Sequence, residues 1–261
     1  MNLLRLFGVF FRVNLMGELA YRVNFFWQLF QSILSLGMSL AGIAVIFSYT
    51  DTLGGWRPGE VLALLGVYLL VGGMIGLMIQ PGMERLIESV RDGTLDFTLT
   101  KPEDTQLIVS IQRIEIWQFI DIVLGLAVLA TALIRLGENI GGWQVAAFVL
   151  MLLAGAVIIY SFFLILATLS FWFVRVENIL MIFHSMYEAG RWPVSLYPGW
   201  LRYGLTFVVP VAFATTVPAE ALTGRLTLGT LLGAVGLALV LFTVSRVFWR
   251  VGLRHYSGAS A

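Results

Sequence analysis

Long apolar stretches, separated by short polar segments, run along most of the chain. A helix needs about 20 mostly apolar residues to cross the hydrocarbon core of a membrane, and six stretches are of that order of length. Glycine, proline and charged residues mark their ends, as is typical at the boundaries of helices. The pattern therefore predicts six transmembrane helices, at residues 24–48, 59–80, 114–136, 143–173, 177–196 and 228–249.

The residues that precede the first predicted span, 1–23, mix leucine and phenylalanine with Arg5, Arg12 and Arg22. An apolar face with interspersed charges is typical of a helix that lies in the membrane interface. We therefore expect an interfacial helix followed by six spans, which together form a single all-α polytopic membrane domain over residues 1–261.

Lysine and arginine are distributed unequally between the two sets of segments that connect the spans. With the N-terminus in the cytoplasm, the cytoplasmic segments contain eleven of these residues and the outer segments four. Positively charged residues are enriched on the cytoplasmic side of membrane proteins. This bias predicts that both termini, and the connection between the second and third spans, lie in the cytoplasm.

That connection is unusually polar for a chain in which 59% of the residues are hydrophobic and 12% are charged. Residues 84–104, here called the charged segment, contain nine charged side chains, some of which repeat at i, i+4 and i+7 along one helical face. A following Asp-Gly pair would end that helix. Mixed charge suits docking to another protein, although a merely solvated loop has the same composition. The candidate docking residues are Glu84, Glu88, Arg91, Asp92, Asp96 and Lys101.

A proline-rich stretch, residues 193–220, interrupts the pattern of spans and contains four of the seven prolines. Because proline removes backbone hydrogen bonds, the stretch predicts two half-helices at about 200–208 and 211–217, which enter from the outside and return. The alternative is one kinked span at 197–219, with 177–196 as a half-buried cytoplasmic helix. The residues that characterise this stretch are Pro198, Pro210, Pro218 and Glu220.

The fifth predicted span contains ionisable side chains, which are costly inside a membrane. Glu177, His184, Glu188 and Arg191 follow one helical face at i, i+7, i+11 and i+14. They can line a substrate path or a dimer seam, or His184 and Glu188 can form a proton relay. The simplest interpretation is a polar pair satisfied by neighbouring helices. In the third span, Asp121 is interpreted as a partner of a neighbouring helix.

Two sequence motifs occur in the same order, and with about the same spacing, as in a known protein family. One, GTLDFTLTKP, extends from Gly93 to Pro102 in the charged segment. The other is YPGWLR from Tyr197, followed by VPVAFATTVPAE from Val209. Together they resemble the ABC-2 family of ATP-binding-cassette transporter permeases, in particular its six-span bacterial branch. The resemblance extends over nearly the whole chain.

The resemblance implies the permease subunit of an ATP-driven exporter in a bacterial inner membrane. Such a subunit pairs with an identical or paralogous permease and binds two copies of a separate ATPase. It further implies that residues 84–104 couple to the ATPase and that 197–222 form an outer re-entrant segment. ATP and magnesium would belong to the partner, because this sequence contains no Gly-x-x-x-x-Gly-Lys-Ser/Thr phosphate loop.

Other function classes account for fewer features of the sequence. A proton-coupled secondary transporter could use Glu188, His184 and Asp121, and a non-transporting membrane scaffold would need none of them. The two histidines are far apart and cysteine is absent, so we expect no metal site and no cofactor in this chain. No basic run indicates a nucleic-acid partner.

Overall fold

The computed structural model describes residues 8, 10–16, 22–137, 141–173 and 177–256, and the architecture is all-α, as the sequence predicts. Five helices are long and apolar enough to cross a membrane, and a bent pair of shorter helices would make a sixth if it crossed. The elements are α1 (Arg22–Tyr49), α2 (Pro58–Arg91), α3 (Ile116–Leu136), α4 (Gly142–Phe171), α5 (Glu177–Tyr187), α6 (Gly199–Val208), α7 (Val211–Leu222) and α8 (Leu228–His255).

The second helix continues well past its predicted end at residue 80. It runs for 34 residues to Arg91, with one π-helical turn at Ile75–Ile79. Its last turns stay helical because Leu86 and Ile87 are buried while the charged residues face outward. The helix ends as predicted: Gly93 has a φ of 66°, a left-handed conformation that glycine adopts without steric cost.

Helices α2 and α3 pack against each other through glycines. A Cβ atom on Gly66 would lie 2.8 Å from the backbone nitrogen of Leu129, and one on Gly125 would lie 2.5 Å from that of Leu70. Small residues let two helices approach to backbone contact, where van der Waals packing holds them together. The pair therefore forms a rigid wall for the site described below.

The prediction that the fifth crossing is one continuous helix over 177–196 is wrong. Helix α5 has eleven residues and is followed by a 3-10 turn at Glu188–Arg191. Phe171 packs on Trp249, with ring centroids 5.7 Å apart, whereas Leu196 lies against Gly54 at the opposite end of the bundle. The chain thus crosses between these points as a broken helix.

The α6–α7 pair forms a hairpin that enters and leaves at one end of the bundle. The two helices are bent by 68° at a break beside Pro210. Leu196 precedes the pair and lies against Gly54, and Arg225 follows it and binds Glu60. At the tip, a Cβ atom on Gly155 near the middle of α4 would lie 3.1 Å from the Cα of Ala214. These contacts fit two half-helices and not one kinked crossing.

The predicted interfacial helix, 1–23, falls partly outside the described residues. Residues 10–16 are helical and contact both the charged segment and the residues that follow it. There Asn14 Nδ2 donates a hydrogen bond of 3.3 Å to the carbonyl of Gln112, and Lys101 Nζ is 5.9 Å from the centre of the Phe10 ring.

Candidate functional site

A polar cavity of about 380 Å³ lies between α1, α2, α3 and the broken fifth crossing. It brings together side chains that are far apart in the sequence, including three of the four that the fifth span was predicted to contribute. Here it is called the central cavity. Among its lining residues are Gln28, Ser32, Asp121, His184, Glu188 and Arg191.

Aromatic side chains hold Arg191 at the wall of the central cavity. Tyr68 and Tyr187 stack with ring centroids 4.9 Å apart, and the Tyr187 hydroxyl donates to the Tyr68 carbonyl at 2.8 Å. The Arg191 guanidinium lies 5.3 Å from the centre of the Tyr68 ring and donates weakly, at 3.5 Å, to its hydroxyl. A cation on an aromatic face is stabilised without a carboxylate partner.

Three other ionisable groups of the central cavity, His184, Glu188 and Asp121, lack such support. Within the described residues, neither His184 nor Glu188 makes a side-chain hydrogen bond or an ion pair. Asp121 lies beside Ser32 and has no cationic partner in the same part of the chain. The side chain of Glu177 lies outside the described residues. The cavity therefore holds charges of both signs that are not paired with each other.

A second cavity, of about 460 Å³, joins the central cavity to the charged segment. Gln80, Glu84 and His184 line both spaces, and Glu88 and Arg91 line the second alone. Helix α2 thus contributes polar side chains, from Gln80 to Arg91, that run from the central cavity to the charged end of the bundle.

The charged segment presents an accessible surface made of local ion pairs. Arg85 contacts Glu88 at 3.2 Å and Arg91 contacts Asp92 at 3.1 Å, with all four side chains at least a third exposed. Asp96 begins a one-turn helix whose next residue, Phe97, is 75% exposed. Mixed charge around a protruding aromatic ring has the composition of a protein-docking surface.

A polar network that the sequence did not reveal anchors the end of the charged segment. Arg246 of α8 donates to both carboxylate oxygens of Asp104 and to Gln106. Gln106 is buried and donates at 3.0 Å to the hydroxyl of Tyr160 on α4, which also bonds Ser110 at 2.8 Å. The Arg246 guanidinium lowers the pKa of Asp104 below its ordinary value. The charged segment is thereby tied to α4 and α8.

The opposite end of the bundle has its own ion pair. Arg225 donates to Glu60 through Nε at 3.0 Å and through Nη2 at 2.7 Å, and it also donates to the carbonyl of Gly55. Its guanidinium lies 5.1 Å from the centre of the Trp56 ring. Because Glu60 is buried, this pair fastens the exit of the hairpin to the start of α2.

The other predicted residues of the hairpin have structural positions. Pro198 directly precedes α6, Pro210 lies at the break, and Pro218 is buried in the first turn of the helix Thr216–Leu222, where a proline costs no helical hydrogen bond. Glu220 is half-buried near the end of α7. The structure does not bring these four residues to the central cavity.

Five apolar helices of spanning length, a broken crossing and a polar cavity among them define a polytopic membrane protein with a site inside the bundle. The chain belongs to a family described as ABC-2 family transporter protein, whose model matches residues 33–260. No curated protein and no solved structure matches the chain.

Proposed function

We propose that the chain is the permease subunit of an ATP-driven exporter of the ABC-2 type. In this proposal two permease chains, identical or paralogous, form the substrate path, and two copies of a separate ATPase bind the charged segments. The subunit lies in a bacterial inner membrane with both termini and the charged segment in the cytoplasm. ATP and magnesium are bound by the ATPase.

One observation carries the proposal: α2 reaches from the charged segment to the central cavity as a single 34-residue helix. Glu84 lines the central cavity, and Glu88 and Arg91, one and two turns further, lie at the charged end. Apart from the π-helical turn at Ile75–Ile79 and Pro81, which has no N–H group, the α2 backbone is hydrogen-bonded along the axis, so the helix can transmit a displacement. Closure of an ATPase dimer against the charged segment would therefore move a wall of the cavity, as a two-state rearrangement requires.

The charged segment is tested by reversing its charges. Glu88 and Arg91 are changed together to Lys and Glu, which reverses the local pattern without changing the net charge. Their ion pairs are exposed, so the fold should be unaffected. We expect the permease to stop stimulating its co-reconstituted ATPase, while the protein still inserts into vesicles. The matched control is the same kind of charge exchange at the opposite end of the bundle, Asp51→Lys with Arg57→Glu. This control should leave the stimulation of the ATPase unchanged.

Full stimulation in the Glu88 and Arg91 variant would remove the docking role from the charged segment. Equal loss in the control would show that the exchange acts through general instability. Full stimulation rejects this route of coupling, whereas equal loss in the control removes this experiment's support for it; neither result bears on the family membership of the chain.

A proton-coupled secondary transporter is the second candidate, because His184, Glu188 and Asp121 all line the central cavity. It predicts that the chain alone moves substrate along a pH gradient and that His184→Ala changes the pH dependence of that movement. The exporter proposal predicts no gradient-driven movement without ATP and an unchanged pH dependence in the variant.

A further inference from the structure

Carboxylates outnumber cationic groups among the described residues of the central cavity. The lining contains the guanidinium of Arg191 and the imidazole of His184, and the carboxylates of Glu84, Glu115, Asp121 and Glu188. Three parts of the chain contribute these groups, namely α2, the start of α3 and the fifth crossing, so the excess of negative charge belongs to the cavity as a whole and not to one helix.

Of the four carboxylates, Glu115 alone has a cationic partner in the described part of the chain. Glu115 pairs with Arg113 at 3.3 Å, and Glu84 accepts a hydrogen bond of 2.8 Å from Gln80. Asp121 and Glu188 have no cationic partner in the described part of the chain. Unpaired ionisable groups inside a membrane bundle are costly and generally serve a pathway or a ligand.

Arg191 forms no ion pair with these two carboxylates, although all three groups lie close enough to the Tyr68 hydroxyl to act on it electrostatically. Its guanidinium is held on the Tyr68 ring, and its Nε is fully buried without a hydrogen-bond partner. The fixed positive charge is thus kept at the aromatic wall. This arrangement leaves space beside Asp121 and Glu188 for a second cation.

The size and surroundings of the central cavity limit what that cation can be. A volume of about 380 Å³ is at the lower end of the range for small-molecule sites, so it fits a headgroup better than a whole lipid. No cluster of three or more metal-ligating side chains occurs within the described residues, which argues against a divalent ion. Leu69, Ile75 and Phe183 also line the cavity and suit contact with an apolar body.

We propose that the central cavity binds the cationic headgroup of an amphiphilic substrate, with Asp121 and Glu188 as its counter-charges. This inference names the substrate class of the exporter and therefore rests on the proposed function. Arg191 limits the affinity for cations by charge repulsion, which favours release of the substrate. Its removal should therefore strengthen binding, whereas removal of either carboxylate should weaken it.

The test compares two ions that have the same size and shape but opposite charge, tetraphenylphosphonium and tetraphenylborate. Their equilibrium binding is measured to the full chain in phosphatidylcholine nanodiscs, with empty nanodiscs subtracted to correct for partitioning into lipid. We expect saturable binding of the phosphonium only. Asp121→Asn and Glu188→Gln should each weaken it roughly tenfold, and Arg191→Gln should strengthen it several-fold. Asp51→Asn, an exposed carboxylate outside the cavity, should have no effect.

Equal binding of both ions, or phosphonium affinity unchanged by the Asp121 and Glu188 variants, would overturn the inference. So would weaker phosphonium binding in an Arg191 variant whose Tm matches that of the wild type, because that result shows that Arg191 does not repel the cation. If the probe does not bind and the variants instead lower the fraction of dimer, the cavity is an interface between copies of the chain. The assay needs no ATPase, so its failure is distinct from a failure of the exporter proposal.

Discussion

Replacing Arg225 by glutamine removes the side chain that fastens the exit of the hairpin to the start of α2. The change breaks both hydrogen bonds to Glu60, the bond to the carbonyl of Gly55 and the contact with the Trp56 ring. It leaves the Glu60 carboxylate buried without a cation, since that side chain is only 9% exposed. The remaining partner of Glu60 is the backbone N–H of Arg57, at 2.6 Å.

The expected cost follows from the burial of the pair. Removing one partner of a fully buried ion pair costs about 3–5 kcal/mol, whereas an exposed pair contributes about 0–1 kcal/mol. Arg225 itself is 35% exposed, so water can reach part of the site and the cost falls to about 2–3 kcal/mol. For a chain of this length, that loss corresponds to a decrease in Tm of about 5–10 °C.

The assay is thermal unfolding of the purified protein in one detergent, for Arg225→Gln, Arg225→Lys and Arg202→Gln. The lysine variant keeps the charge but loses the planar fork, so about half of the decrease should remain. Arg202 is exposed on the same hairpin and makes no ion pair within the described residues, so its variant should change Tm by less than about 1–2 °C. A Tm for Arg225→Gln equal to that of Arg202→Gln would refute the reasoning.

Two further predictions concern packing and pH. Gly125→Ala should lower the free energy of unfolding by about 1–3 kcal/mol, because the new Cβ would lie 2.5 Å from the backbone of Leu70. Gly233→Ala, in an open position on α8, should instead be neutral or stabilising, as measured by the same unfolding assay. Asp104→Asn should destabilise the protein at pH 7, where the wild-type carboxylate is charged and paired with Arg246. Since that pairing lowers the pKa of Asp104, the difference between variant and wild type should shrink as the pH falls below 3.8, and a constant difference across a pH series of melting curves would contradict the assignment.

Features set by local sequence were predictable. The prolines of the hairpin and Gly93 at the end of α2 act on their own backbone, so their positions in the sequence indicate where helices break. The charged segment was visible because nine charges interrupt an apolar chain, and the structure keeps it at the end of the bundle.

Features set by packing between distant segments were not predictable. Arg246 and Asp104 are 142 residues apart, and nothing in either local sequence indicates the other. The break in the fifth crossing coincides with Gly190, where a Cβ would lie 2.5 Å from the Val211 side chain of the hairpin. The polar face of the fifth span could be recognised in the sequence. Whether its charged side chains find partners could not, because that depends on which side chains α1, α2 and α3 place around the cavity.

The most direct test of the account is the purification of the tagged chain from its host membrane, followed by quantification of co-purifying proteins. The account predicts a Walker-motif ATPase at one copy per permease chain, and its loss when Glu88 and Arg91 are changed to Lys and Glu. A chain that purifies without any ATPase, or that keeps its ATPase in the variant, would contradict the proposal that ATP hydrolysis acts through the charged segment.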